Sequence, residues 1–324
     1  MKKSLSLILV LFFLVTSCFA NQDFSFYAGA NSGALNLTLN ETLLNNATDE
    51  ARPSSLLKWQ IYASPVIQAD AGIKINQRFF INFNGFYALP LSAGKLRDYD
   101  WMNLFSTGST EQTHYSEHSN KLDYYYNAQV SLGIGGQMSQ RVQLVHFFSF
   151  RYSYLSMTCS NGYRQYGTKI GEQNGSNIYE PWTTGIPKTQ LTGKVITFEE
   201  QNYFFGIGTQ ISFKISDSLE AQLLAQVLPA IKSTALDTHH RRSTKYTLFD
   251  NSFKLALDSS FLLQYKINEQ HRLNLKAGYC YSFAHDAKIY QSAGGQNWIG
   301  ATNPGKLGQH DVTLTAGYTY YYEK

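Results

Sequence analysis

The stretch Val312-Thr313-Leu314-Thr315-Ala316-Gly317-Tyr318-Thr319-Tyr320-Tyr321-Tyr322 alternates without a break. Val312, Leu314, Ala316, Tyr318, Tyr320 and Tyr322 form one set, and Thr313, Thr315, Gly317, Thr319 and Tyr321 the other. Successive side chains of an extended backbone point to opposite faces, so this run reads as a strand with one apolar face and one small, polar face. No charge interrupts the apolar face. Such a strand suits a wall with lipid on one side and a wet lumen on the other.

The same pattern recurs along the chain. Leu273 to Phe283 and Phe253 to Lys266 repeat it, as do Leu219 to Ile231, Tyr203 to Phe213, Val142 to Phe150, Leu122 to Ile134 and Phe79 to Leu89. With the stretches Trp59 to Ile75 and Phe24 to Leu37, the count is ten. A soluble sandwich would also alternate, but its outer faces would carry charge, and these sets are almost free of it.

Short polar links fall at Asn76-Gln77, Ser139-Gln140, Ser216-Asp217 and Asn268-Glu269-Gln270. Long polar links cover roughly 38–56, 92–120, 155–194, 233–246 and 284–309. Strict alternation of short and long predicts periplasmic turns and extracellular loops, with both termini on the periplasmic side. The expectation is therefore an all-β fold, a ten-stranded antiparallel transmembrane β-barrel with long extracellular loops. No repeat or composition shift divides residues 21–324, which read as a single barrel domain.

The opening residues agree with export. Met1-Lys2-Lys3 precedes an apolar run from Leu5 to Val15 and a small residue at Ala20, so 1–20 reads as a signal peptide. Val15-Thr16-Ser17-Cys18 offers lipidation at Cys18 as the alternative. The formal charge of +4 includes Lys2 and Lys3, so the exported chain is near neutral, which argues against nucleic acid as a partner. Twenty-three tyrosines and 21 phenylalanines beside only 15% charged residues fit an outer-membrane barrel. Beyond Cys18, only Cys159 and Cys280 remain, and they read as free thiols; no Cys/His spacing suggests a metal.

Two acidic pairs stand out at the long-link ends. Asp98 and Asp100, in Arg97-Asp98-Tyr99-Asp100-Trp101, share a face if extended. Asp237 and His239 have the same spacing. The first pair follows the third strand and the second the seventh, so the two lie on roughly opposing walls and can meet over the lumen mouth. A neutral histidine oriented by a carboxylate is a general base, and neighbouring carboxylates shift each other's proton affinity. One condition attaches to this reading. Strict alternation from Leu219 to Ile231 would aim Asp237 and His239 outward, so a bulge or bend near Pro229 has to reverse the phase. His114 and His118 read as solvated loop histidines.

In these two blocks, Asp98-Tyr99-Asp100-Trp101-Met102 and Asp237-Thr238-His239, the chain resembles the omptins, outer-membrane endopeptidases with a site at the extracellular rim. Ser54-Ser55-Leu56-Leu57-Lys58-Trp59 and Thr315-Ala316-Gly317 add weaker support. The resemblance implies an aspartic-type, metal-independent protease that hydrolyses peptide bonds with an activated water and no covalent intermediate. Under it His239 is the base, Asp237 its orienting partner, and Asp98 and Asp100 hold the water. It also implies protein or peptide substrates at the cell surface, and no cofactor unless lipopolysaccharide is required.

Omptins hold a basic substrate residue between two acids. Glu41 fits one of those places; the other falls at Ala235, which implies a weaker or broader basic preference. The family's lipopolysaccharide-docking cluster has Arg151 as its single candidate here. The dibasic step Arg241-Arg242 is a candidate self-cleavage point. A non-enzymatic barrel, an adhesin or invasin using its long loops, is the competing class; a channel is disfavoured because ten strands enclose little space.

Overall fold

Alternation is realised as a closed wall. The computed structural model describes residues 24–45, 52–76, 78–104, 106–173, 175–250, 254–293 and 299–323. The strands are β1 (Phe24–Asn45), β2 (Arg52–Ile75), β3 (Phe79–Ala88), β4 (Leu91–Asp100), β5 (His114–Ser139), β6 (Val142–Tyr166), β7 (Lys169–Gln173), β8 (Ser176–Tyr179), β9 (Thr189–Gln190), β10 (Lys194–Lys214), β11 (Leu219–His239), β12 (Thr244–Asp250), β13 (Leu255–Lys266), β14 (His271–Ala293) and β15 (Ile299–Glu323). β3 and β4 together make one stave, and β12 and β13 another, so the wall has ten. Every stave pairs antiparallel with its neighbours, and β1 closes the ring on β15 over Ser25↔Glu323 to Leu43↔Gly305. Closure leaves no free edge in lipid, which is what makes a sheet viable there. β7 and β8 form a separate hairpin, and β9 pairs with the upper end of β6. The signal read in 1–20 lies outside the described residues.

Faces follow the expected parity. Leu314 is 57% exposed and its neighbour Thr313 only 8%. Leu132, Ile134, Phe148, Ile207, Leu223, Val227, Leu257, Phe261, Leu275 and Tyr318 continue the outward apolar band. Three of the short links are tight turns as read; at the fourth, Gln77 lies outside the described residues, and the Arg78 N–H donates to the Ile75 carbonyl at 3.1 Å. The long links differ from the expectation: they are largely strand. β6 runs 25 residues and β15 also 25, where about 9–11 suffice to cross a bilayer. The upper half of each long stave therefore stands clear of the membrane, and the extracellular part is a continuation of the barrel.

The lumen is filled in two layers. The lower layer is polar and paired. Arg151 bonds to Asp258 and, at 2.7 Å, to Gln129; Lys276 meets Asp70 at 3.5 Å; Arg272 meets Glu220 at 3.1 Å; and Tyr125 donates to Asp311 at 2.9 Å. Arg151 thus points into the lumen, which removes it as a docking residue on the outer wall. Above lies an apolar plug of Leu35, Leu37, Leu39, Trp59, Ile61, Leu96, Leu122, Met157 and Phe198. Trp59 on the second stave meets Phe198 on the sixth with ring centroids 5.6 Å apart, so opposite walls touch. Among the described residues, this packing fills the lumen between the lower layer and the rim. Cys159 and Cys280 are free thiols, as read.

Between the apolar outer band and the rim, strands slip phase. One extra residue enters β2 between Ile61 and Ser64, where Ala63 takes φ +48° and donates its N–H to Asn36. Others enter β5 between Leu122 and Tyr124 and β14 between Ser282 and His285. In β11 the register jumps from Tyr203↔Lys232 to Phe204↔Ala230, leaving Ile231 as the bulged residue. Gln226 and Leu228 face inward below it, and Ser233, Ala235, Asp237 and His239 face inward above it. The required phase reversal is therefore present, two residues beyond Pro229.

Candidate active site at the extracellular rim

Two staves bring the paired residues to the cleft. On β4, Asp98 and Asp100 stand opposite Leu57 and Ser55 of β2 and opposite Ser116 and His114 of β5. Below them Gly94 passes so near the Gln60 carbonyl that any Cβ would collide, which lets β4 press against β2. On β11, Asp237 and His239 stand opposite Phe198 and Ile196 of β10. All four side chains point inward, Asp98, Asp237 and His239 being buried and Asp100 half-buried.

His239 is held from both ring nitrogens. Its Nε2 lies 2.7 Å from Asp237 Oδ2, and its Nδ1 lies 2.8 Å from Arg242 Nη2. A guanidinium only donates, so Nδ1 is bare and Nε2 carries the proton given to Asp237. Tyr246 packs edge-on against the ring at 5.2 Å. The imidazole is thus neutral in this arrangement and fixed in one tautomer.

The facing acids are strained in charge. Burial pushes the Asp98 carboxyl well above the usual carboxylate range, and the charge of Asp100 adds to that shift, while Arg242 opposes it. Asp100 is raised too, by burial, with Ser55, Arg242 and His239 pulling the other way. The two pairs feel each other across the cleft: Asp237 raises Asp98, and His239 lowers Asp100. Ser55 Oγ donates weakly to Asp98 at 3.5 Å. Glu41, on β1, is buried in the same space, with burial and then Asp237 raising its carboxyl well above normal.

The structure therefore brings together all five residues singled out in the sequence: Asp98, Asp100, Asp237, His239 and Glu41. It corrects two others. His118 is buried in β5, with its ring nitrogens 2.6 Å from the Asn161 carbonyl oxygen and 3.0 Å from Ser116 Oγ; His114 is buried between Tyr166 and Tyr179. Neither is a solvated loop residue, because the link that carries them is strand. Three site residues escaped the sequence reading in these positions: Arg242 on the His239 nitrogen, and Glu200 and Lys254 at the cleft floor. Extending the inward parity of β10 upward from Phe204 through Asn202 would have reached Glu200, and Lys254 already lay on the lumen parity of its strand.

A model of the Omptin family matches residues 22–322. The chain belongs to the Omptin family. Membership makes it a bacterial outer-membrane β-barrel of a protease family. Among solved structures, the outer membrane protease OmpT from Escherichia coli superposes with a TM-score of 0.78 at 15% identity, covering 92% of this chain and 97% of that one. At that identity the likeness speaks for the fold. The outer membrane protein OprG from Pseudomonas aeruginosa aligns over 94% of this chain and 97% of its own at 9% identity, but with a TM-score of only 0.37. No curated protein sequence matches the chain.

Proposed function

We propose that this omptin is an endopeptidase that cleaves exposed segments of proteins and peptides at the cell surface with a water activated by His239. The observation that carries the reading is the convergence of a tautomer-fixed His239 with two proton-hungry carboxyls, Asp98 and Asp100, in one apolar-walled cleft.

The base is Nδ1 of His239, because Nε2 is committed to Asp237. Arg242 now occupies Nδ1, so its guanidinium swings aside as the peptide and water enter. The water then lies between Nδ1 and the Asp98–Asp100 pair and attacks the scissile carbonyl. His239 takes the proton, and Asp237 stabilises the imidazolium that forms. The Asp98–Asp100 pair, with raised proton affinity, retains a proton whose donation to the oxyanion offsets the developing charge. Collapse of the intermediate returns the proton from His239 to the leaving amine. The apolar plug beneath keeps bulk water from the site, which strengthens each of these contacts.

The test is hydrolysis of quenched peptides by the refolded barrel, in chelator and with or without lipopolysaccharide. His239→Ala is expected to cost ~10²–10⁴-fold in rate with the barrel intact, and Asp98→Ala to fall in the same range. Full activity in either variant, or loss of activity in chelator, would overturn the reading. The arm without lipopolysaccharide decides whether that lipid is needed.

A further inference from the structure

The hairpin that joins β11 to β12 folds back over the candidate base. His239 pairs with Thr244, and His240-Arg241-Arg242-Ser243 make the turn between them. The Arg242 N–H donates to the His239 carbonyl at 3.3 Å, Thr244 Oγ1 donates to the Arg242 carbonyl at 3.1 Å, and the His240 N–H donates to the Val195 carbonyl of β10 at 2.9 Å. Ser243 takes φ +49°, the left-handed conformation that closes so short a turn. The two arginines leave this turn in different directions. Arg241 bonds to the Thr192 carbonyl ahead of β10, and Arg242 reaches Nδ1 of His239 at 2.8 Å.

That nitrogen carries the one lone pair His239 has left, since Nε2 is given to Asp237. While the guanidinium donates to it, it takes no proton from water. The same cation opposes the raised proton affinity of Asp98 and Asp100, so it works against both walls of the cleft at once. Drawing it out removes a cation from beside two crowded carboxyls, and the guanidinium then needs another anion. The rim around the turn offers none. Lys194, His240, Arg241 and Lys245 stand exposed there, and among the described residues none of Lys194, Arg241, Arg242 and Lys245 forms an ion pair with a carboxylate. An anionic group carried by the peptide would meet an uncompensated basic rim.

Building on the endopeptidase reading, we infer that Arg242 is an autoinhibitory latch on His239, and that acidic residues flanking the cleaved bond release it by taking the guanidinium. At rest the latch keeps the base covered. A peptide with carboxylates beside its scissile bond lays them on the basic rim, Arg242 moves to them, and Nδ1 is freed for water. A neutral peptide has to displace the arginine without that exchange. It therefore finds a smaller competent fraction of the enzyme.

Peptides with one cleavable core, flanked by glutamates on one side or the other, or by glutamines on both, test this. The unaltered barrel is expected to hydrolyse a glutamate-flanked peptide about tenfold better in kcat/KM than the glutamine-flanked one, the size of one charge-assisted contact. Arg242→Ala is expected to raise kcat/KM for the glutamine-flanked peptide by about tenfold and to bring the ratio below about threefold. Arg242→Lys keeps a cation on the turn and is expected to hold the ratio nearer that of the unaltered barrel. Acylation of His239 by diethyl pyrocarbonate, mapped by mass spectrometry, reads the latch without catalysis, and is expected to run about tenfold faster in Arg242→Ala. Equal or slower hydrolysis of the glutamine-flanked peptide by a closed Arg242→Ala barrel, or equal acylation rates, overturns the latch. Equal hydrolysis of all the peptides by the unaltered barrel overturns its release by acids. Hydrolysis of no peptide by any of the proteins overturns the endopeptidase reading instead. In that event acylation decides the latch and fluorescence anisotropy of the bound peptides decides its release, equal values overturning each.

Discussion

The lower and upper halves of this barrel are made from the same strands and handle charge in opposite ways. Below, Arg151, Arg272 and Lys276 each meet a carboxylate, and the amides of Gln129 and Gln226 join the Arg151–Asp258 pair. Above, Asp98, Asp100, Asp237 and Glu41 crowd one cleft around His239, and Glu41 and Asp237 each keep a bare oxygen. In the lower half the register slips beside the short turn between β5 and β6, at Gln137/Ser139, whereas several bulges collect where the staves leave the apolar band. The contrast separates tasks. Paired charge below contributes stability, and crowded like charge above gives stability away to hold carboxyls with raised proton affinity in reach of a neutral base.

The largest effect should come from abolishing the phase slip. Deleting Ile231 straightens β11 and turns Asp237 and His239 toward the outside. Peptide hydrolysis should drop by the same ~10²–10⁴-fold as the loss of the base itself, while heat-modifiable migration in gels still reports a closed barrel. An active deletion variant would break the view that the bulge aims the site.

Breaking the lower half should move stability and leave catalysis alone. Asp258→Ala strands the Arg151 guanidinium in the lumen, at a cost of about 3–5 kcal/mol. Denaturant unfolding in micelles reads the cost, and kcat/KM of the folded fraction should stay within about twofold of the unaltered barrel, short of the factor of ten that 1.4 kcal/mol represents. A collapse of kcat/KM would show that the two halves are not separable.

The smallest effect sharpens the upper half. Glu41 binds its proton more tightly folded than unfolded, so the folded state holds more protons between the two pKa values and stability falls as pH rises. This contribution is complete below the ordinary glutamate range near ~4.3 and is lost as pH climbs through the raised folded value. Glu41→Gln should flatten the decline by at most about 1.4 kcal/mol per pH unit. Unfolding midpoints at pH 5 and pH 8 measure it, and parallel slopes in the two proteins would count against a buried, proton-hungry Glu41.

Legibility from sequence followed distance along the chain. Strand faces depend on neighbours one and two residues away, so Val312 to Tyr322 displayed its wall and lumen sides outright. The short turns and the positions of Asp98, Asp100, Asp237 and His239 at the upper ends were legible for the same reason. Residues in the long links were not. His118, read as solvated, is buried in β5 because its link is strand, and its ring nitrogens meet the Asn161 carbonyl and Ser116 Oγ in place of water. Arg151 sits on an inward position of β6, bonded to Gln129 and Asp258, and strand parity alone assigns it to the lumen.

What the chain determines by itself is a period-two wall of ten staves with two acidic pairs above it, since alternation and turn chemistry are local. What only the closed barrel decides is which of those pairs look inward, and what lies beneath them. One bulged residue, Ile231, reverses every side chain after it, and no local preference marks it. Likewise Lys254 reaches Glu200 across 54 positions of sequence, a meeting that exists only once the staves curve round and enclose both residues in the lumen.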